Sequence, residues 1–134
     1  MPQSEFDIIE HYFQQQKISR DDVKLGIGDD AAIVSVPKNR QLVIALDTLV
    51  SGVHFPTDTA AEDIAYKALA VNLSDLAAMG AEPAWFTLAL TLPESNQDWL
   101  AGFAKGLFEL ANKYNMQLIG GDTTQGPLTV SIQV

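Results

Sequence analysis

A single strand-like run set between two helix-like runs decides most of the architecture open to this chain. The segment AWFTLALTL, 84–92, is apolar on both faces and is stopped by Pro93, as befits a strand inside a sheet rather than at its edge. Before it, Thr59-x-x-Glu62 reads as a capping box opening a helix over about 60–79, with Gly80 in the place of a left-handed C-terminal cap and Pro83 following. After it, Ser95 or Asn96 caps a second helix to about 115, along which Leu100, Phe103, Leu107, Leu110 and Tyr114 recur at helical spacing. Strands joined through helices need crossover connections, so both helices must cover a sheet.

The other runs complete the order α-β-β-α-β-α-β-β. A helix spans 4–16, with Ser4 as its cap and Phe6, Ile9 and Phe13 on one side. Strands follow at AAIVSV (31–36) and at LVIAL (42–46), the second ending at Asp47. MQLIG (116–120) runs into Gly120-Gly121-Asp122, and LTVSIQV (128–134) comes last. The expected fold is α/β (α+β), a mixed sheet with helices packed on one face, as one domain over 1–134. The last run ends without a polar tail or breaker, so a further element is expected beyond Val134.

Composition removes several kinds of chemistry. There is no Cys, which excludes a disulfide framework, a thiol nucleophile and Cys-ligated zinc or iron–sulfur sites. With 8 Lys+Arg against 17 Asp+Glu and a formal charge of −9, no basic stripe exists for nucleic acid or an anionic membrane. The start MPQSEFDIIEHYFQ is no secretory signal, and Lys67, Asn72 and Asp75 interrupt the longest apolar run. A cytoplasmic enzyme or binding module is the expectation.

The placement of the acids says more than their number. AYKALAVNLSDLAAMGA is almost wholly apolar, so Asp75 is expected to be buried there, sharing a face with Asn72 three residues earlier. A carboxylate so placed must be paired, bind a metal or become neutral. Asp29 and Asp30 follow Gly28 just before a strand, Asp47 ends an apolar strand, and Asp122 follows two glycines. Singly, each is ordinary turn chemistry. Together, with so few cations to neutralise them, they point to a divalent metal, and Mg²⁺ bound by carboxylates usually handles phosphates. No G-x-x-x-x-G-K-[ST] is present, so this is not a P-loop protein. His54, in SGVHFP, reads from its residues alone as a satisfied loop residue rather than a catalyst; Trp85, Phe86 and Trp99 read as core or interface.

GIGDDAAIV, ALDTLVSGVHF, YKALAVNLSDLAAMGAEPAW and LIGGDTTQGPL, in this order and spacing, closely resemble the amino-terminal half of the thiamine-monophosphate kinase family, from residue 4 to residue 134. The wider superfamily includes aminoimidazole ribonucleotide synthetase, selenophosphate synthetase and a hydrogenase maturation factor. The resemblance implies a Mg²⁺-dependent transferase that phosphorylates thiamine monophosphate to thiamine diphosphate with ATP as co-substrate. It implies a cytoplasmic homodimer paired through the sheets. Asp30, Asp47, Asp75 and Asp122 correspond to its Mg²⁺ ligands, Gly121 and Asp122 to its ATP site, and His54 to a substrate contact; no side chain is implied as a catalytic acid or base. Ala45 and Leu46 stand where many members carry Ser or Thr, so side-chain metal ligation there is lost. The family's carboxy-terminal domain is absent from these residues, and the chain alone is expected to be inactive. Another member of the superfamily, or a non-catalytic dimerisation or metal-binding module, is the alternative.

Overall fold

The computed structural model describes residues 5–134 of the chain. A short helix α1, Glu5–Ile8, continues into a π-helical turn, Ile9–Phe13, closed by the Gln14 N–H donating to the Ile9 carbonyl at 2.8 Å. The helix is thus shorter than 4–16. Ile8, Tyr12 and Phe13 are buried, and Phe13 meets Phe103 edge-on. The expected Ser4 cap and the Phe6 side chain lie outside the described residues.

Strands β1, Val23–Leu25, and β2, Ile33–Val34, form a separate antiparallel ribbon. Only two residues of AAIVSV therefore pair, and β1 is an addition to the expected order. The main sheet contains β3 (Leu46–Val50), β4 (Trp85–Leu92), β5 (Gln117–Gln125) and β6 (Thr129–Gln133), in the order β3-β6-β4-β5. β4 and β5 are parallel and the other pairs antiparallel, so the sheet is mixed and β4 is internal, as its two-faced apolar sequence requires.

Two strands differ from expectation. β3 begins at Leu46, because its register with β6 runs from Leu46↔Gln133 to Val50↔Thr129; only Ala45 adds a further bond pair, to Val134. Residues 42–44 carry the apolar sequence of a strand and have no ladder partner among the described residues, leaving Leu42 and Ile44 exposed. Asp47 therefore lies inside a strand and not at its end. β5 runs straight through Gly120-Gly121-Asp122 to Gln125, since β4 pairs with it to Leu92.

Helices α2, Ala61–Ala78, and α3, Gln97–Lys113, join these strands. The Thr59 capping box does not form: Ala60 is the N-cap residue and the Thr59 hydroxyl donates to the Pro56 carbonyl instead. Gly80, at φ 65°, closes α2, with Gly80 N–H to Ala77 and Ala81 N–H to Leu76, the paired bonds of a Schellman end. Asn96 caps α3, its Oδ1 accepting from Trp99 N–H at 3.0 Å. Phe86, Leu88, Leu90, Leu92, Val130, Ile132 and Leu49 alternate onto one sheet face and are buried with Leu69, Leu100, Phe103 and Leu107 of the helices. The other face presents Leu46 at the edge and mainly polar side chains elsewhere, with Thr48 bonded to Ser131 and Thr91 to Thr124. Among the described residues, no helix is long and apolar enough to cross a membrane.

The segment after α1 is stapled along β5. Gln16 donates to the Met116 carbonyl and to Asn112, and accepts from Leu118 N–H. Arg20 donates to the Asn115 carbonyl and pairs with Asp22, which also accepts from the Trp85 indole. This staple brings the GIGDD loop beside the glycines of β5.

Candidate functional site

The sequence-predicted acids gather in two places. Asp29, Asp30 and Asp122 line one cavity of about 470 Å³, bounded by the π-helical turn, the GIGDD loop and β5. Ile9, Phe13, Ile27 and Leu118 supply its apolar lining, while Gly120, Gly121 and Thr123 expose β5 backbone to it. The loop is held by Gln14, which donates to the Ile27 carbonyl at 3.3 Å, and by Asp30 N–H donating to Asp29 at 2.8 Å. Gly28 sits at φ 108°, and a Cβ there would fall 2.2 Å from the Gln14 amide nitrogen. At Gly121 a Cβ would fall 1.8 Å from the Leu88 carbonyl, so β4 and β5 can run this close only with glycine.

The second cluster joins Asp47, Asp75 and His54. Asp47 projects from β3 on the helix-covered face, where its carboxyl lies beside that of Asp75 on α2. Burial pushes the Asp47 carboxyl above the usual aspartate range, and the neighbouring Asp75 carboxyl with its negative charge pushes the same way; His54 opposes them. Two carboxyls set side by side repel each other when ionised, an arrangement that a hard cation would relieve, and oxygen donors of this kind fit Mg²⁺. His54 follows β3 in a tight turn, where its Nδ1 accepts from Val50 N–H at 2.9 Å and its carbonyl accepts from the Lys67 ammonium. A neutral imidazole held this way carries its proton on Nε2.

The structure does not gather all four metal candidates into one coordination sphere. Asp47 aligns with Ile132 and Leu88, whereas Asp122 aligns with Ala89 one row away, so their side chains leave opposite faces of the sheet. Among the described residues, no three His, Cys, Asp or Glu side chains stand close enough together to hold a metal. Asp75 is also exposed, contrary to the expectation from its apolar helix, because its partner Asp47 belongs to the edge strand β3. The buried polar residue of that helix is Asn72, fully enclosed. The sequence shows a lone Asn and a lone Asp three residues apart but not which of them faces inward. Gln14 and Gln16, which position the loop, carry no sequence signal, since their roles depend on partners about 13 to 102 residues away.

Comparison with known proteins narrows the chemistry. The family described as AIR synthase related protein, N-terminal domain, matches residues 28–134. Thiamine-monophosphate kinase of Escherichia coli (strain K12) is 58% identical over 130 residues, which cover 97% of this chain and 40% of that protein. The crystal structure of thiamine-monophosphate kinase from Stenotrophomonas maltophilia K279a superposes with a TM-score of 0.81 at 57% identity, over 95% of this chain and 39% of that one. AaThiL complexed with AMPPCP and TMP superposes with a TM-score of 0.64 at 25% identity, over 95% and 38% of the respective chains. The chain spans about 40% of the length of the curated relatives it matches.

Proposed function

The chain belongs to the AIR synthase related family, whose N-terminal domain it carries, and on that premise we propose that it is the amino-terminal part of a thiamine-monophosphate kinase. The parent enzyme transfers the γ-phosphoryl group of ATP to the phosphate of thiamine monophosphate, giving thiamine diphosphate. The observation that carries this reading is the placing of the acids: Asp29, Asp30 and Asp122 around a cavity floored by β5 backbone, and the Asp47–Asp75 pair between α2 and β3, at the opposite edge of the sheet. Similarity to kinases over nearly the whole chain, and a relative complexed with AMPPCP and TMP, support it.

In this reading Mg²⁺ would be held at two separate places, by Asp30 and Asp122 beside the cavity and by Asp47 with Asp75 between β3 and α2. When bound, the metal supplies the positive charge that offsets repulsion between two phosphate-bearing reactants. The chain's own residues bind and orient. Gly121 lets β5 lie against the Leu88 backbone, and its amide and the Asp122 carboxyl are the groups that would meet the ATP phosphates. His54 offers Nε2–H to an oxygen of the substrate phosphate, because Nδ1 is already engaged by Val50. No side chain acts as a base, since the accepting phosphate is already ionised near neutral pH and in-line phosphoryl transfer rests on positioning. Leu46 shares the uncovered sheet face with Thr48 and is exposed, as are Leu42 and Ile44 before it; this supports a homodimer in which two such faces pair.

Titration of AMPPCP into the 134-residue chain by calorimetry, with Mg²⁺ and then with EDTA, tests the assignment. Binding that requires Mg²⁺ and is lost in Asp75→Ala supports it. Binding indifferent to both metal and mutation would sink it. The chain alone is expected to form no thiamine diphosphate.

A further inference from the structure

One wall of the cavity belongs to a part of the molecule that its own pairing does not hold in place. The ribbon of β1 and β2 shares no ladder with the main sheet, and Leu25 and Ile33 on it are exposed. A two-stranded ribbon by itself is marginal in water. Yet the GIGDD loop that joins its strands stands opposite Gly120, Gly121 and Asp122, and the cavity exists only while it does.

Arg20 holds the foot of this ribbon. Its guanidinium takes both Asp22 carboxylate oxygens, Nε to Oδ1 at 3.0 Å and Nη2 to Oδ2 at 2.9 Å, and Nη1 donates to the Asn115 carbonyl at 2.8 Å. Its backbone N–H donates to Gln117 Oε1 at 2.7 Å, and the Trp85 indole donates to Asp22 at 2.9 Å. Asp22 leads directly into β1, Trp85 opens β4, and Gln117 opens β5. A forked pair of this kind fixes orientation as well as distance, so it sets the direction in which β1 leaves the end of the sheet. The other tether lies in the loop itself, where Gln14 donates to the Ile27 carbonyl and Ile27 packs against the core. We propose that Arg20 is a positioning residue of the nucleotide site: through Asp22 and the start of β5 it sets Asp29 and Asp30 against Gly121 and Asp122, while lining no part of the cavity itself. The inference rests on the reading above, in which this cavity receives the ATP phosphates.

AMPPCP with Mg²⁺, titrated calorimetrically into the 134-residue chain, should bind the unmodified protein most tightly, then Arg20→Lys, then Arg20→Ala, the last weaker by about 10-fold or more. Lysine keeps the charge but lacks the planar fork, so it cannot serve Asp22 and Asn115 as arginine does. Hydrogen exchange supplies the readout that a general loss of stability does not imitate. In Arg20→Ala the amides of residues 23–34 should exchange faster, while those of β4 and β6 keep their rates. Asp22→Asn added to Arg20→Ala should cost no further affinity, because the two side chains act as one unit. Equal affinity in Arg20→Ala and the unmodified chain overturns the proposal and leaves the nucleotide site standing. Exchange accelerated alike in ribbon and sheet also overturns it, since that marks a residue serving stability alone. No binding of AMPPCP by the unmodified chain overturns both readings. Should Arg20→Ala fail to fold, Arg20→Lys decides by the same two measurements.

Discussion

At the scale of the residue, Asp47 and its neighbour Asp75 set a pH dependence that can be measured. The raised pKa of Asp47 means that the folded protein holds this proton more tightly than the unfolded chain does. Stability of the metal-free protein is therefore expected to fall as pH rises from the ordinary aspartate value through the raised one. Asp75→Asn removes the opposing charge, so it should flatten this slope and raise the melting temperature near neutral pH, while abolishing stabilisation by Mg²⁺. Thermal denaturation from about pH 4 to pH 8, with and without Mg²⁺, measures both effects. Superimposable profiles for the two proteins would mean that the carboxyls do not interact. Asp22 behaves in the opposite sense: the hydrogen bond from Arg20 lowers its pKa, with the Trp85 indole adding to the effect, so this staple weakens only as pH falls through that lowered value.

At the scale of the element, the seam between α2 and α3 is set by glycines that are not interchangeable. A Cβ on Gly106 would lie 2.5 Å from the Glu62 carbonyl oxygen and 2.8 Å from its Cα, so the helices would have to part. Overpacking of this kind costs about 1–3 kcal/mol, more than the roughly 1 kcal/mol of helix propensity that alanine gains over glycine. Gly106→Ala is therefore expected to lower the denaturation midpoint. Gly102, one turn earlier, would place a Cβ 3.6 Å from the Ala61 methyl, an ordinary contact, so Gly102→Ala should be neutral or stabilising. Equal midpoints for the two variants would contradict the seam described. Asn96→Ala removes the α3 cap and should cost about 1 kcal/mol in the same assay.

At the scale of the molecule, one sheet face is covered by helices and the other is not. Leu46, 62% exposed, sits on the uncovered face, and Leu42 and Ile44 shortly before it in the chain are exposed too. Sedimentation of the chain should give a dimer, and Leu46→Lys a monomer with unchanged secondary structure by circular dichroism. A dimer that survives Leu46→Lys would move the interface elsewhere.

Much of this was legible in the chain's local chemistry. The helical spacing of Leu100, Phe103 and Leu107, the two-faced apolar run of β4, the Gly80 end and the Asn96 cap are short-range effects, and each stands where the sequence places it. What the sequence left open is everything that depends on a distant partner. LVIAL and LDTLV both read as strand, and only pairing with β6 selects the second. Strand alternation says that neighbours point apart, but the register decided that Asp47 meets the helices and Asp122 the other face. Helical spacing put Asn72 and Asp75 on one side of α2, yet only the packing of that helix over an edge strand buries the amide and leaves the carboxylate at the surface. Local propensities act through a few neighbouring bonds, whereas burial and register are fixed by contacts between residues far apart in the chain.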